Sequence, residues 1–252
     1  MNIDAKFTDG RLEPRPDPLA LSAVRRIGLA RLAWPAAGVA AMCLLCVWAI
    51  DRPVAMYFKA LSDTAMVGFF RVVTDLGQSA IWYAVGVIGV LACWLRARAM
   101  PTDAARFAWR RRARSFLFLV ASMLASGTLV NLLKMIFGRY RPRFLFDAGV
   151  YDFAPFALDL KSSGFPSGHT QSIVAAMIAL GFIWPRGRWV FFAVAAVVAA
   201  SRFITTVHYV SDVIAGAFVA AAVALIMRGL FERNGIALAW TDRAANEVRP
   251  RN

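Results

Sequence analysis

The chain has 252 residues, 60% of them hydrophobic and only 17% charged, with a formal net charge of +14. A soluble globular domain averages roughly 45–50% apolar and about 25% charged residues, so this composition excludes a disordered chain and points to a bilayer as the solvent. The three cysteines all lie inside apolar runs and provide no disulfide framework.

In chain order, residues 1–31 carry six Lys/Arg and are expected to form a cytoplasmic N-terminal segment. That is long for a signal-peptide n-region, and no small-residue cleavage site follows, so the next run reads as a retained helix. Leu32–Ile50, Leu76–Leu95 and Ser115–Leu133 hold 19, 20 and 19 residues without a charge, the length of transmembrane helices. Cys43 and Cys46 share a C-x-x-C spacing within the first run and read as small packing residues. Leu19–Arg31 and Pro53–Asp75 mix apolar and charged positions as interfacial amphipathic helices do. Gly168–Pro185, Trp189–Val207 and Val210–Met227 each hold one ionisable residue. The expected fold class is all-α: a bundle of six transmembrane helices over 32–231, interfacial amphipathic helices, and a cytoplasmic tail over 232–252.

Segments 1–31, 96–114, 185–188 and 228–252 contain 20 of the 29 Lys/Arg. The positive-inside rule then places both termini in the cytoplasm, with the run Arg110–Arg114 as an inner anchor. Basic charge distributed in this way sets topology and does not call for a nucleic-acid partner.

Ionisable groups inside membrane spans are costly, so each is a functional candidate. Here they are Lys134, His169, Arg202, His208 and Asp212. In a six-helix serpentine these helix ends fall on one side, which the charge count makes the outer side. Lys134, Arg141 and Arg202 bring three positive charges suited to phosphate oxygens. Pro166-Ser167-Gly168-His169 reads as a helix start, with Ser167 as N-cap and Gly168 allowing close backbone approach to an anion. His208 and Asp212, four apart, are expected to share a helix face, where a carboxylate fixes the tautomer of the imidazole. A zinc site would need further ligands that this sequence does not supply on the outer side. Arg139 and Arg143 flank the first of these segments and read as loop charges within reach of a head group.

Three stretches carry a family resemblance. They are Lys134-Met-Ile-Phe-Gly-Arg-Tyr-Arg141-Pro142, Pro166-Ser-Gly-His169 and Ser201-Arg202-Phe-Ile-Thr-Thr-Val-His208-Tyr-Val-Ser-Asp212. Together they resemble the K-x6-R-P, P-S-G-H and S-R-x5-H-x3-D signatures of the type 2 phosphatidic acid phosphatase (PAP2) superfamily, in its membrane lipid phosphate phosphatase branch. The resemblance implies metal-independent hydrolysis of a lipid phosphate through a phosphohistidine, with no cofactor. It implies His208 as nucleophile, Asp212 as its orienting carboxylate and His169 as general acid. Lys134, Arg141, Ser167, Gly168 and Arg202 would hold the phosphate. The expected setting is a bacterial inner membrane with the site facing the periplasm. Undecaprenyl pyrophosphate, phosphatidic acid, phosphatidylglycerol phosphate and lipid A phosphate are the candidate substrates. A lipid-to-lipid phosphotransferase shares the same motifs. A non-catalytic anion-binding or transport protein would have no need of the His208–Asp212 pair.

Overall fold

The computed structural model describes residues 7–8, 11–12, 18–156, 162–234, 236 and 238–240, with side chains from Leu32 onward. All of the expected segment 1–31 and most of the tail 232–252 lie outside the described side chains. The chain divides into two compact units, Met1–Gly38 and Val39–Asn252. The first contains a two-residue antiparallel pairing, Phe7 opposite Leu12 and Thr8 opposite Arg11, and the start of α1.

The described residues are otherwise mainly helical, in agreement with the expected fold class. Helix α1 (Pro18–Leu45) widens into a π-turn over Cys46–Ile50 and continues as α2 (Asp51–Ala60). Then come α3 (Ala65–Val73), α4 (Ser79–Ala99), α5 (Asp103–Phe137) and the short α6 (Pro142–Ala148). Helices α7 (Gly168–Ile183), α8 (Arg188–Ile204) and α9 (Val210–Arg233) complete the order. Five stretches are long and apolar enough to cross a membrane: Leu32–Ala60, Ala65–Ala99, Asp103–Phe137, Pro185–Ile204 and Val210–Arg233. The protein is a multi-pass membrane protein.

The sixth expected span is α7, with only 16 residues. At about 1.5 Å per residue it covers roughly 24 Å, short of the ~30 Å hydrocarbon layer. Its position explains the tolerance. Eleven of its residues are buried, so it meets neighbouring helices rather than lipid along most of its length. Phe118, Leu119 and Met123 of α5, Ile173, Met177 and Ile183 of α7, Val198 of α8 and Ala220 of α9 form one core around it. Gln171, buried on α7, donates to the Ser126 hydroxyl at 2.6 Å and to the Met123 carbonyl at 3.3 Å, so its amide is satisfied within the bundle.

Helix α5 begins at Thr102, whose side chain accepts the Ala105 N–H at 3.3 Å. From Arg114 to Lys134 it rises about 30 Å, one hydrocarbon thickness, which separates the arginine cluster from Lys134. Helix α9 packs against the start of α7 through Gly216. A Cβ at Gly216 would stand 2.5 Å from the Ser167 carbonyl oxygen. Overpacking against a fixed backbone costs about 1–3 kcal/mol. Gly216→Ala should therefore lower the thermal midpoint in detergent by several degrees, and an unchanged midpoint would show that the two helix starts separate freely.

Candidate active site

Lys134 lies in the last turn of α5, which ends on Gly138 at φ +56°. This left-handed cap suits glycine, and any Cβ here would run into the Ala154 carbonyl. The chain then threads between two strips of backbone. Tyr140 N–H donates to Asp152 O at 3.1 Å, and Gly164 N–H donates to Arg139 O at 2.6 Å. Lys134 Nζ donates to Ser163 O at 2.9 Å, and Arg141 Nε reaches the same carbonyl at 3.4 Å. One carbonyl therefore gathers Lys134 and Arg141, the two signature cations of the first motif.

Ser167 is the N-cap of α7, its side chain accepting the Thr170 N–H at 3.4 Å. Its own N–H donates to Asp212 O at 2.9 Å, which ties the second motif to the third. His169 follows in the first turn, half-buried, against Gly77 of the turn Thr74–Gly77. Arg202, near the end of α8, donates through Nη1 to the Thr74 hydroxyl. Its buried Nε has no hydrogen-bond partner among the described residues. An orphaned guanidinium N–H is expensive, and an anion oxygen would satisfy it. Lys134, Arg141 and Arg202 lie within electrostatic reach of one another and of His169. Lys134 and Arg202 take no part in the salt bridges among the described residues. Their accumulated charge fits a phosphate group.

His208 sits one helical turn from Asp212, as the spacing suggests, but not on the helix. It lies in the turn before α9, where the N–H groups of Val207 and His208 both donate to Arg202 O at 3.1 Å. Asp212 is in the first turn of α9. Its Oδ2 accepts the Tyr209 N–H at 3.0 Å and lies 3.2 Å from His208 Nδ1. The carboxylate thus serves as a helix cap and an imidazole partner at once. An Nδ1–H facing it leaves Nε2 with a lone pair.

The reading of Arg139 as a loop charge is overturned. Arg139 is 1% exposed and bridges two buried carboxylates, Asp212 at 2.9 Å and Asp51 at 3.0 Å. Arg143 is exposed, with its guanidinium 4.7 Å from the Phe144 ring centroid. Loop position alone does not separate the two. The signal for Arg139 was Asp51, an acid directly after an apolar run, which with Asp212 makes two buried acids in need of a cation. Tyr151 and Ser211 also join this cluster, and the motif positions singled out in the sequence did not include them.

Burial pushes the His208 imidazole from its ordinary value of 6.5 down to about 3, against the pull of Asp212. Below pH 6.5 the unfolded chain binds a proton that the folded chain refuses. This share of stability is therefore complete above 6.5 and declines as pH falls toward 3. Between pH 6.5 and about 4, the thermal midpoint should fall less steeply for His208→Asn than for the parent; parallel curves would disprove the coupling.

The family model described as "PAP2 superfamily" matches residues 115–236, which contain all three motifs. The chain is 38% identical over 119 residues to a protein named Lipid A 1-phosphatase from Rhizobium johnstonii, covering 47% of this chain and 49% of that one. It is 39% identical over 99 residues to a Lipid A 1-phosphatase from Rhizobium etli, covering 39% and 43% respectively. The chain spans about half the length of the curated relatives it matches. A crystal structure of a transmembrane PAP2-type phosphatidylglycerolphosphate phosphatase from Bacillus subtilis shares the fold. The TM-score is 0.56 at 19% identity, over 78% of this chain and 96% of that one. Motifs and family match therefore converge on residues 115–236, the segment of the chain that is similar to the PAP2 superfamily.

Proposed function

We propose that the chain is a lipid phosphate phosphatase that works through a phosphohistidine at His208. The observation that carries this reading is the buried His208–Asp212 pair, 3.2 Å apart, within electrostatic reach of Lys134 and Arg202, whose Nε–H has no partner among the described residues. His208 Nε2 attacks phosphorus while the bond to the leaving oxygen breaks, and His169 gives that oxygen its proton. The imidazole becomes cationic as it is phosphorylated, and Asp212 stabilises that charge. Water then attacks phosphorus, His169 takes its proton, and the P–N bond breaks to return neutral His208 and free phosphate. Lys134, Arg141 and Arg202, with the Ser167 hydroxyl and the Gly168 amide at the start of α7, hold the non-bridging oxygens. Fixed cations here supply the charge that divalent ions supply in many phosphoryl transfers.

For the substrate we favour a sugar-linked lipid phosphate of the lipid A type. The names of the two Rhizobium relatives support it. So does a cavity of about 330 Å³ between α4, α5 and α7, on which His169 opens. Ser79, Tyr83, Thr128 and Asn131 are among the residues that line it. These neutral donors and acceptors suit hydroxyl and amide groups on a leaving sugar better than a bare acyl or prenyl alcohol. Purified protein in EDTA should release phosphate faster from a lipid A 1-phosphate than from phosphatidic acid, phosphatidylglycerol phosphate or undecaprenyl pyrophosphate. Activity that vanishes in EDTA and returns with one divalent ion would remove the cationic-cradle account. Transfer of labelled phosphate to a second lipid without free phosphate would make the protein a phosphotransferase.

The proposed sidedness puts this chemistry on the periplasmic face of a bacterial inner membrane, with both termini cytoplasmic. The charge split between alternate loops supports it. Reporter fusions at Gly149 and Thr102 should report opposite sides, with Gly149 outside. A cytoplasmic Gly149 would reverse the orientation.

A further inference from the structure

We propose that Asp51 and Arg139 are positioning residues for His208, acting through Asp212, and that their purpose is to keep the buried cluster at a net charge of −1. This inference rests on the phosphohistidine reading above.

The cluster is closed and fully hydrogen-bonded on the side away from His208. Arg139 Nη1 donates to Asp212 Oδ1 at 2.9 Å and to the Ser211 hydroxyl at 2.6 Å. Arg139 Nη2 donates to Asp51 Oδ2 at 3.0 Å and to the Tyr151 hydroxyl at 3.0 Å. Asp51 accepts the Ser211 N–H on Oδ1 at 3.0 Å and the Ser211 hydroxyl on Oδ2 at 2.5 Å. The Tyr151 hydroxyl in turn donates to the Val47 carbonyl at 2.6 Å. Asp51, Arg139 and Asp212 are each at most 1% exposed, so water screens none of these charges.

The arrangement answers a conflict. Asp212 needs a second partner to hold its Oδ1, and a guanidinium does so firmly. A guanidinium alone would also neutralise Asp212, and a neutralised carboxylate stabilises an imidazolium poorly. Asp51 removes the conflict by sharing the guanidinium. Two carboxylates and one guanidinium sum to −1 while His208 is neutral. When His208 attacks phosphorus, its ring gains +1 and the cluster reaches zero at that moment. Charge is thus set in place before the step that needs it.

Asp51 lies outside the segment that the family model matches, at the junction of the π-turn with α2. The Ser211 N–H points at Asp51 from 160 residues away in sequence. On this inference the first helices of the chain complete the reaction centre and do more than anchor it.

The test uses the full-length protein and measures phosphohistidine formation by rapid quench, with the inhibition constant of inorganic phosphate as the ground-state measure. Asp51→Asn keeps the shape of the side chain but leaves the cluster neutral. It should slow phosphohistidine formation about tenfold or more, the effect of one unit charge felt through an intervening guanidinium at an effective dielectric near 20. The phosphate inhibition constant should stay within about twofold of the parent. Arg139→Gln added to Asp51→Asn restores −1 on Asp212 alone, and the rate should recover most of the loss. A purely structural role predicts the opposite, with the double variant slower than the single one. Unchanged kinetics in Asp51→Asn, or further loss in the double variant, overturns the inference. If Asp51→Asn does not fold, the double variant is compared with the parent directly. A near-parental rate supports the inference, and a tenfold loss or failure of both variants to fold refutes it. A parent chain that forms no phosphohistidine would instead refute the function proposed above, so the two failures are distinct.

Discussion

The carboxylate of Asp212 is the point on which the site depends. Its Oδ2 caps the start of α9 and faces His208, its Oδ1 holds Arg139, and its main-chain carbonyl receives the Ser167 N–H. Four pieces of chain are fixed by one residue: the turn after α8, the start of α9, the start of α7 and the loop after α5. A fully buried acid is tolerable only because each oxygen has partners, and those partners come from the elements that carry the three sequence motifs. Folding of the bundle and assembly of the site are therefore one event.

The cations follow from the same economy of contacts. Lys134 and Arg141 lean on Ser163 O, while Arg202 is steered by Thr74. Lys134 and Arg202 are held by neutral oxygen atoms, which fix a side chain without cancelling its charge. Arg139 is the contrasting case, since it is bound by carboxylates. The loop after α5 thus sends one arginine between two buried carboxylates and another to the Ser163 carbonyl beside Lys134, two residues apart.

Much of this was legible in the sequence, for a physical reason. Ionisable residues inside apolar runs are rare because they are expensive, so Lys134, His169, Arg202, His208 and Asp212 stood out. The structure gathers them at one end of α5, α7, α8 and α9. Arg139 and Asp51 did not stand out, because charges beside a span are common and most serve topology. Nothing in local pattern tells a solvated loop arginine from one folded back between two acids. Helix α7 is shorter than the segment expected there, and burial within the bundle relieves it of covering the whole bilayer. The pairing of His208 with Asp212 was expected from helical periodicity and arises instead from the capping turn, where the same four-residue spacing brings the groups together by a different route.

The enclosure of α7 bears on how the protein responds to its lipid surroundings. Helices that face lipid tilt or bend when hydrocarbon thickness changes. Helix α7 carries His169 and the capping serine, and its neighbours shield most of its surface. Thickness changes therefore act first on the outer helices and reach the candidate site only through packed side chains. Such a protein keeps one site geometry in membranes of differing acyl-chain length, while the surrounding helices absorb the mismatch.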